Sequence, residues 1–179
     1  MKKEIRKKNK KIGILGGTFD PPHYGHLYIS KIALKKLRLD KVIWAITKKN
    51  PLKKKPHLEI KKRIQLSKKI IKKEKKIYII FFDKKIKSRN TFNLLKYLKK
   101  DNKRAMLYFL MGADNLINFH KWYKWKEIPK FAKLVIFPRK NYLARMNKYI
   151  ALKSLIKKDL IYIKSKKVNI SSSLIRKFW

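Results

Sequence analysis

Ile12-Gly13-Ile14-Leu15-Gly16-Gly17-Thr18-Phe19-Asp20-Pro21-Pro22-His23-Tyr24-Gly25-His26 is the stretch on which the fold turns. Ile12 to Leu15 is a short apolar run of the kind that forms a buried strand. It runs into a Gly-Gly turn, and a helix is expected from about His26 to Leu37. Strand, glycine turn and helix together make the phosphate-binding unit of an α/β fold, because exposed N–H groups at a helix start favour an anion. Gly16 and Gly17 remove side chains where backbone must approach phosphate, and Pro21-Pro22 stiffens the approach to the helix. His23 and His26, three apart in the first turn, can turn their imidazoles the same way. Two structural histidines or a zinc site are the other readings. Zinc would need further ligands, and no other His, Cys or carboxylate is arranged nearby in the sequence. The run lacks the Gly-Lys-Ser/Thr ending of a P-loop and the spacing of a dinucleotide fingerprint.

Outward from this turn the chain alternates. Val42 to Ile46 is a strand, Lys48 to Pro56 a loop, and Leu58 to about Lys73 an amphipathic helix carrying Ile60, Ile64, Leu66, Ile70 and Ile71. Strands follow at Ile77 to Phe82, Leu107 to Met111, Leu134 to Phe137 and Leu160 to Ile163. Helical stretches lie between them at Thr91 to Leu98, just after Asp114, and roughly Leu143 to Ile156. Ser171-Ser172-Ser173 can cap a last helix. This βα order predicts an α/β fold with a mostly parallel sheet and helices on both faces. No internal repeat or low-complexity linker divides the chain, and 179 residues fit one domain, residues 1–179, with 1–11 as a flexible basic arm.

Charge is the outlier of the composition: 52 Lys plus Arg against 10 Asp plus Glu, a formal +42. Such a balance attracts polyanions at low salt, whether nucleic acid, anionic membrane or phosphorylated substrates. The lysines alternate with Ile and Leu along almost every segment instead of gathering on one face with exposed aromatics, so no specific nucleic-acid partner is read from them. The chain has no cysteine, which excludes disulfides and thiolate chemistry and makes the cytoplasm the default compartment. The apolar run behind the basic N-terminus is too short for a signal peptide, and no segment approaches the ~20 apolar residues that span a bilayer.

The run from Gly16 to His26 resembles the (H/T)xGH signature of nucleotidylyltransferases, and Ile170-Ser171-Ser172-Ser173-Leu174-Ile175-Arg176 resembles their ISSTxIR signature. Three further segments are similar to those of bacterial nicotinate-nucleotide adenylyltransferases: Met111-Gly112-Ala113-Asp114-Asn115, Phe119-His120-Lys121-Trp122-Tyr123 and Asn50-Pro51-Leu52-Lys53-Lys54. The resemblance spans Ile12 to Arg176 and implies a Rossmann-like fold. It also implies adenylyl transfer from ATP to nicotinate mononucleotide, releasing pyrophosphate.

Carried over residue by residue, the resemblance makes His23, His26, Lys54 and Arg176 the catalytic groups. It assigns ATP to Gly16, Gly17, Thr18, Phe19, His23, His26, Lys53, Gly112, Asp114, Ile170, Ser171, Ser173 and Arg176, with Asp114 accepting from ribose hydroxyls. Thr91, Trp122 and Tyr123 fall to nicotinate mononucleotide, with Trp122 against the pyridine ring. No protein-held metal is implied, and Mg²⁺ is expected to arrive with ATP. Arg89 to Leu95 departs from the family's S-Y-T-x-D-T-L, keeping Thr91 and Leu95. Nicotinamide mononucleotide or phosphopantetheine as substrate, and a basic nucleic-acid-binding protein on a degenerate enzyme fold, remain as alternatives. The sequence sets no oligomeric state.

Overall fold

The computed structural model describes residues 9–52, 54–137, 155, 159–164 and 170–178. Among these residues six strands form one sheet in the order β3-β2-β1-β4-β5-β6. They are β1 (Lys11–Gly17), β2 (Lys41–Ile46), β3 (Ile77–Phe81), β4 (Met106–Gly112), β5 (Ala132–Phe137) and β6 (Leu160–Tyr162). Every neighbouring pair is parallel. A sheet of this kind is buried on both sides, which explains why its strands read as unbroken apolar runs.

The two-residue period of a strand divides those runs between two cores. Ile12, Ile14, Ile43, Ala45, Leu107, Phe109 and Met111 enter one cluster with Phe92, Leu95 and Leu98 of α4 (Thr91–Asp101). Leu15, Val42, Trp44, Ile46, Tyr108 and Leu110 enter the other. This second cluster is covered by α1 (Tyr24–Lys36) and α2 (Ile60–Ile71) through Leu27, Ala33, Ile60 and Ile64. Helices therefore lie on both faces, as the βα alternation predicts.

Several boundaries shift for identifiable reasons. Lys11, expected in a flexible arm, is the first residue of β1: its N–H donates to Asp40 Oδ2 (2.6 Å) and its carbonyl accepts from Asp40 N (2.9 Å). Helix α1 starts at Tyr24, before the expected His26, because His23 is itself the N-cap. A four-residue helix, α3 (Asp83–Ile86), is too short to show periodicity in sequence. Helix α5 (Ala113–Ile117) follows β4 directly. The aromatic segment beyond it folds as two 3₁₀ turns, Phe119–Lys121 and Trp125–Lys130. The helix expected from Leu143 to Ile156 lies, apart from Leu155, outside the described residues, as do Lys53 and Trp179.

Strand β1 pairs with β2 on one side and β4 on the other, and the chain winds outward in opposite directions from these two. Between β1 and β4 the connections diverge, leaving a crevice beyond their carboxyl ends where α/β sheets bind ligands. Gly16-Gly17 ends β1 and Gly112 ends β4, so segments far apart in sequence open onto the same crevice.

Candidate active site

A cleft of ≈ 1920 Å³ occupies this crevice. Pockets for a single small molecule are roughly 300–1,000 Å³, so there is room for two substrates. Its lining draws on the β1 turn, the loop after β2, the start of α4, the end of β4 and the chain's last turn.

Gly16 and Gly17 lie at its floor for different reasons. A Cβ on Gly16 would stand 3.2 Å from the Phe109 ring, so that glycine answers to packing. At Gly17 it would make only ordinary contact, 3.5 Å, with Phe19. Thr18 also lines the cleft. Phe19 adopts the left-handed region (φ 52°) after the turn and is buried, stacked on Trp44 (5.0 Å) and tilted against His26 (4.6 Å). Asp20-Pro21 is a cis peptide.

His23 and His26 come together as their spacing predicts, with ring centroids 3.8 Å apart. They form a reciprocal cap on α1. His23 Nδ1 accepts from Gly25 N (3.1 Å), and His26 Nδ1 accepts from His23 N (3.2 Å). With each Nδ1 used as an acceptor, Nε2 is the ring nitrogen available to donate. Gly25 is required by the same packing: a Cβ there would lie 2.8 Å from His23 Nδ1 and 3.0 Å from Ile170 Cγ2.

A short helix, Ser172–Ile175, followed by the 3₁₀ turn Arg176–Phe178, docks onto the loop before α1. Ser171 caps it by accepting from Leu174 N (3.1 Å), and the Ser172 hydroxyl donates to Pro21 O (2.8 Å). Arg176 donates to Asp20 O and to Ser173 Oγ (3.3 Å), and lies 3.8 Å from the Asp20 carboxylate. Ile170, Ser171, Ser173 and Arg176 thus reach the same cleft as the histidines. Of the two candidate lysines, Lys54 lines the cleft and Lys53 lies outside the described residues.

Across the cleft, Asp114 follows β4 with Oδ1 buried and no protein partner among the described residues. A Cβ at Gly112 would collide with that oxygen. An unpaired buried carboxylate oxygen is costly unless a donor arrives, and two ribose hydroxyls are donors of the right kind. Trp122 packs on Phe119 (5.2 Å) and Phe109 (6.0 Å) and still lines the cleft, so it serves both the core and the cleft wall. Tyr123 lines it too, whereas Trp125 packs on Phe119. Thr91 is the first residue of α4. The departures around it are structural: Asn90 caps α4 by accepting from Asn93 N (2.9 Å), and Asn93 donates to Ser88 Oγ (3.0 Å).

The sequence gives no role to Arg63, Asp83, Lys55 or His57, nor to Asp20 beyond its place in the motif. Asp20 is buried and accepts from His57 N (2.8 Å) and Leu58 N (2.9 Å), and Asp83 accepts from Lys48 N (2.7 Å) and the Thr47 hydroxyl (2.9 Å). A signal existed: the chain has 10 acidic residues, and Asp20, Asp83 and Asp114 all line this cleft.

The cytidylyltransferase-like family model matches residues 14–178. The chain is 52% identical to a probable nicotinate-nucleotide adenylyltransferase of Pelagibacter ubique, over 97% of this chain and 96% of that protein. It is 41% identical to a probable nicotinate-nucleotide adenylyltransferase of Aliarcobacter butzleri, over 74% and 73% of the two chains. Among solved structures, the fold is similar to that of Plasmodium falciparum nicotinic acid mononucleotide adenylyltransferase complexed with NaAD. The TM-score there is 0.78 at 23% identity, covering 95% of this chain and 84% of that one. No helix among the described residues is long and apolar enough to cross a membrane.

Proposed function

From the premise that the chain belongs to the cytidylyltransferase-like family, we propose that it is a nicotinate-nucleotide adenylyltransferase, transferring the adenylyl group of ATP to nicotinate mononucleotide. One observation carries the proposal. The histidine pair at the start of α1, the Asp114 oxygen that has no partner among the described residues, and the half-covered Trp122 line a single cleft large enough for two nucleotides.

In this reaction the 5′-phosphate of the mononucleotide attacks the α-phosphorus of ATP. A new P–O bond forms, the bond to the bridging oxygen between the α- and β-phosphorus breaks, and pyrophosphate leaves with that electron pair. A phosphate monoester is largely ionised at neutral pH, its second pKa being about 6, so no general base is required. The protein's work is to align two polyanions and to stabilise charge growing on the α- and β-phosphate oxygens.

His23 and His26, with Nδ1 committed to backbone N–H groups, are suited to donate from Nε2 to those oxygens. Lys54 and Arg176 add positive charge, Lys53 belongs with them by its place in the loop, and the backbone of Gly16 to Phe19 passes beneath. Asp114 takes the ribose, while Trp122, Tyr123 and Thr91 hold the pyridine end. Mg²⁺ carried in with ATP would supply positive charge for the phosphate oxygens. The carboxylates of Asp20 and Asp83 are already engaged with backbone N–H groups, a donor set that fits an ion carried by phosphate and water. The chemistry requires no membrane and no thiol, and we place it in the cytoplasm.

The test is turnover of ATP with nicotinate mononucleotide against nicotinamide mononucleotide and phosphopantetheine, read as pyrophosphate release. Preference for the nicotinate substrate is expected. Preference for another acceptor would reassign the enzyme, and polyanion binding with a steep salt slope but no pyrophosphate release would replace it with a binding protein.

A further inference from the structure

Arg63 of α2 belongs to none of the binding groups above, yet it is the only buried lysine or arginine among the described residues, 1% exposed. Its guanidinium donates from Nε to Leu58 O (3.0 Å), from Nη1 to Thr18 O (2.5 Å) and Thr47 O (2.8 Å), and from Nη2 to Lys48 O (2.9 Å). These carbonyls come from the turn after β1 and from the two ends of the loop between β2 and α2. That loop carries Lys54 and Lys55 into the cleft. Two carboxylates repeat the pattern from the other side: Asp83 holds Lys48 N (2.7 Å), and Asp20 holds His57 N and Leu58 N.

No carboxylate forms a direct ion pair with Arg63 among the described residues. Burial pushes its pKa down, while Asp20 and Asp83 act through space to raise it. Its place is therefore not explained by charge pairing. A planar fork spreads five donors over three nitrogens and here makes four bonds to carbonyls on three separate stretches, whereas a lysine has only three donors, all on one nitrogen.

We infer that Arg63 is a positioning residue for the triphosphate: it ties both ends of the lysine-bearing loop to the phosphate turn and so sets how far Lys54 and Lys55 stand from that turn. The inference rests on the cleft being the ATP site. It predicts an effect on ATP that the nicotinate end, built on α4 and the segment between the two 3₁₀ turns, does not share.

The test is Arg63→Lys, with the Kd of a non-hydrolysable ATP analogue measured by calorimetry and the KM values for ATP and nicotinate mononucleotide measured separately. The expected result is a rise of about tenfold in the analogue Kd and the ATP KM, with the mononucleotide KM within about twofold of wild type. Unchanged ATP affinity overturns the inference, as does an equal rise in both KM values, which would mark a merely structural arginine. Should Arg63→Lys not fold, Asp83→Ala frees one end of the same loop and must weaken the analogue selectively, or the inference fails. Wild-type protein that does not bind the analogue would instead refute the ATP site itself, and this inference with it.

Discussion

Replacing Gly25 by alanine tests whether the histidine pair is set by packing. An added Cβ would lie 2.8 Å from His23 Nδ1, 2.9 Å from His23 Cε1 and 3.0 Å from Ile170 Cγ2. Ordinary contact is about 3.5–4.0 Å, so the imidazole must move by roughly 0.7 Å or more. Doing so breaks its bond from Gly25 N and pushes on Ile170, which leads into the Ser171 cap. Misplacement of about 1 Å at a reacting centre costs on the order of 10²-fold in rate, the loss expected in kcat. Stability should change far less. Overpacking costs about 1–3 kcal/mol, and alanine in place of glycine in a helix returns about 1 kcal/mol, leaving a net loss of roughly 0–2 kcal/mol. At roughly 2–4 °C per kcal/mol that is a Tm fall of at most about 8 °C. Pyrophosphate release and thermal melting of the same preparation measure both. A kcat within threefold of wild type in a folded Gly25→Ala protein would refute the proposal that the rings' position limits turnover.

Asp114→Ala should leave Tm unchanged or raise it slightly, because it removes a buried oxygen without a partner among the described residues, while the KM for ATP rises about tenfold or more; a marked loss of stability would contradict the unpaired state. Trp122→Ala should raise the KM for nicotinate mononucleotide and also cost about 2–4 kcal/mol in denaturant unfolding, since the ring packs on Phe109 and Phe119; an unchanged KM would leave Trp122 as core alone. Burial holds the Tyr108 hydroxyl above its ordinary pKa of 10.0. The folded state keeps a proton that the unfolded chain gives up, so the stability this contributes is complete below about pH 10 and falls as pH rises through the raised value. Tyr108→Phe should lose that fall in stability curves at alkaline pH, and an identical slope in both proteins would exclude Tyr108 as its source.

The α/β class was legible because its signals are local. Ile12 to Leu15, Val42 to Ile46 and Leu107 to Met111 are apolar runs bounded by glycine or charge, and the repeat of strand and helix leaves a parallel sheet as the economical arrangement. The glycine-rich turn was legible as a turn for the same reason, its glycines, prolines and histidines lying within one short stretch, although Ser172, Arg176 and Arg63 hold its backbone from elsewhere. Strand order was not legible. That β1 lies between β2 and β4, bringing Asp114 and Trp122 opposite His23, depends on pairing among distant residues. Nor could sequence tell Gly16, demanded by the Phe109 ring, from Gly17.

Arg63 marks the boundary most clearly. On an amphipathic helix in a chain with 52 basic residues it looks like one more solvated cation. Only the tertiary structure turns it inward, because the hydrogen-bond acceptors that justify burying its charge, at Thr18, Thr47, Lys48 and Leu58, are brought together by the packing of α2 against the sheet. Composition and local pattern determined which elements form and where the glycine-rich turn lies. Long-range packing decided which polar groups are buried, what they bond to, and hence which of many similar residues belong to the site.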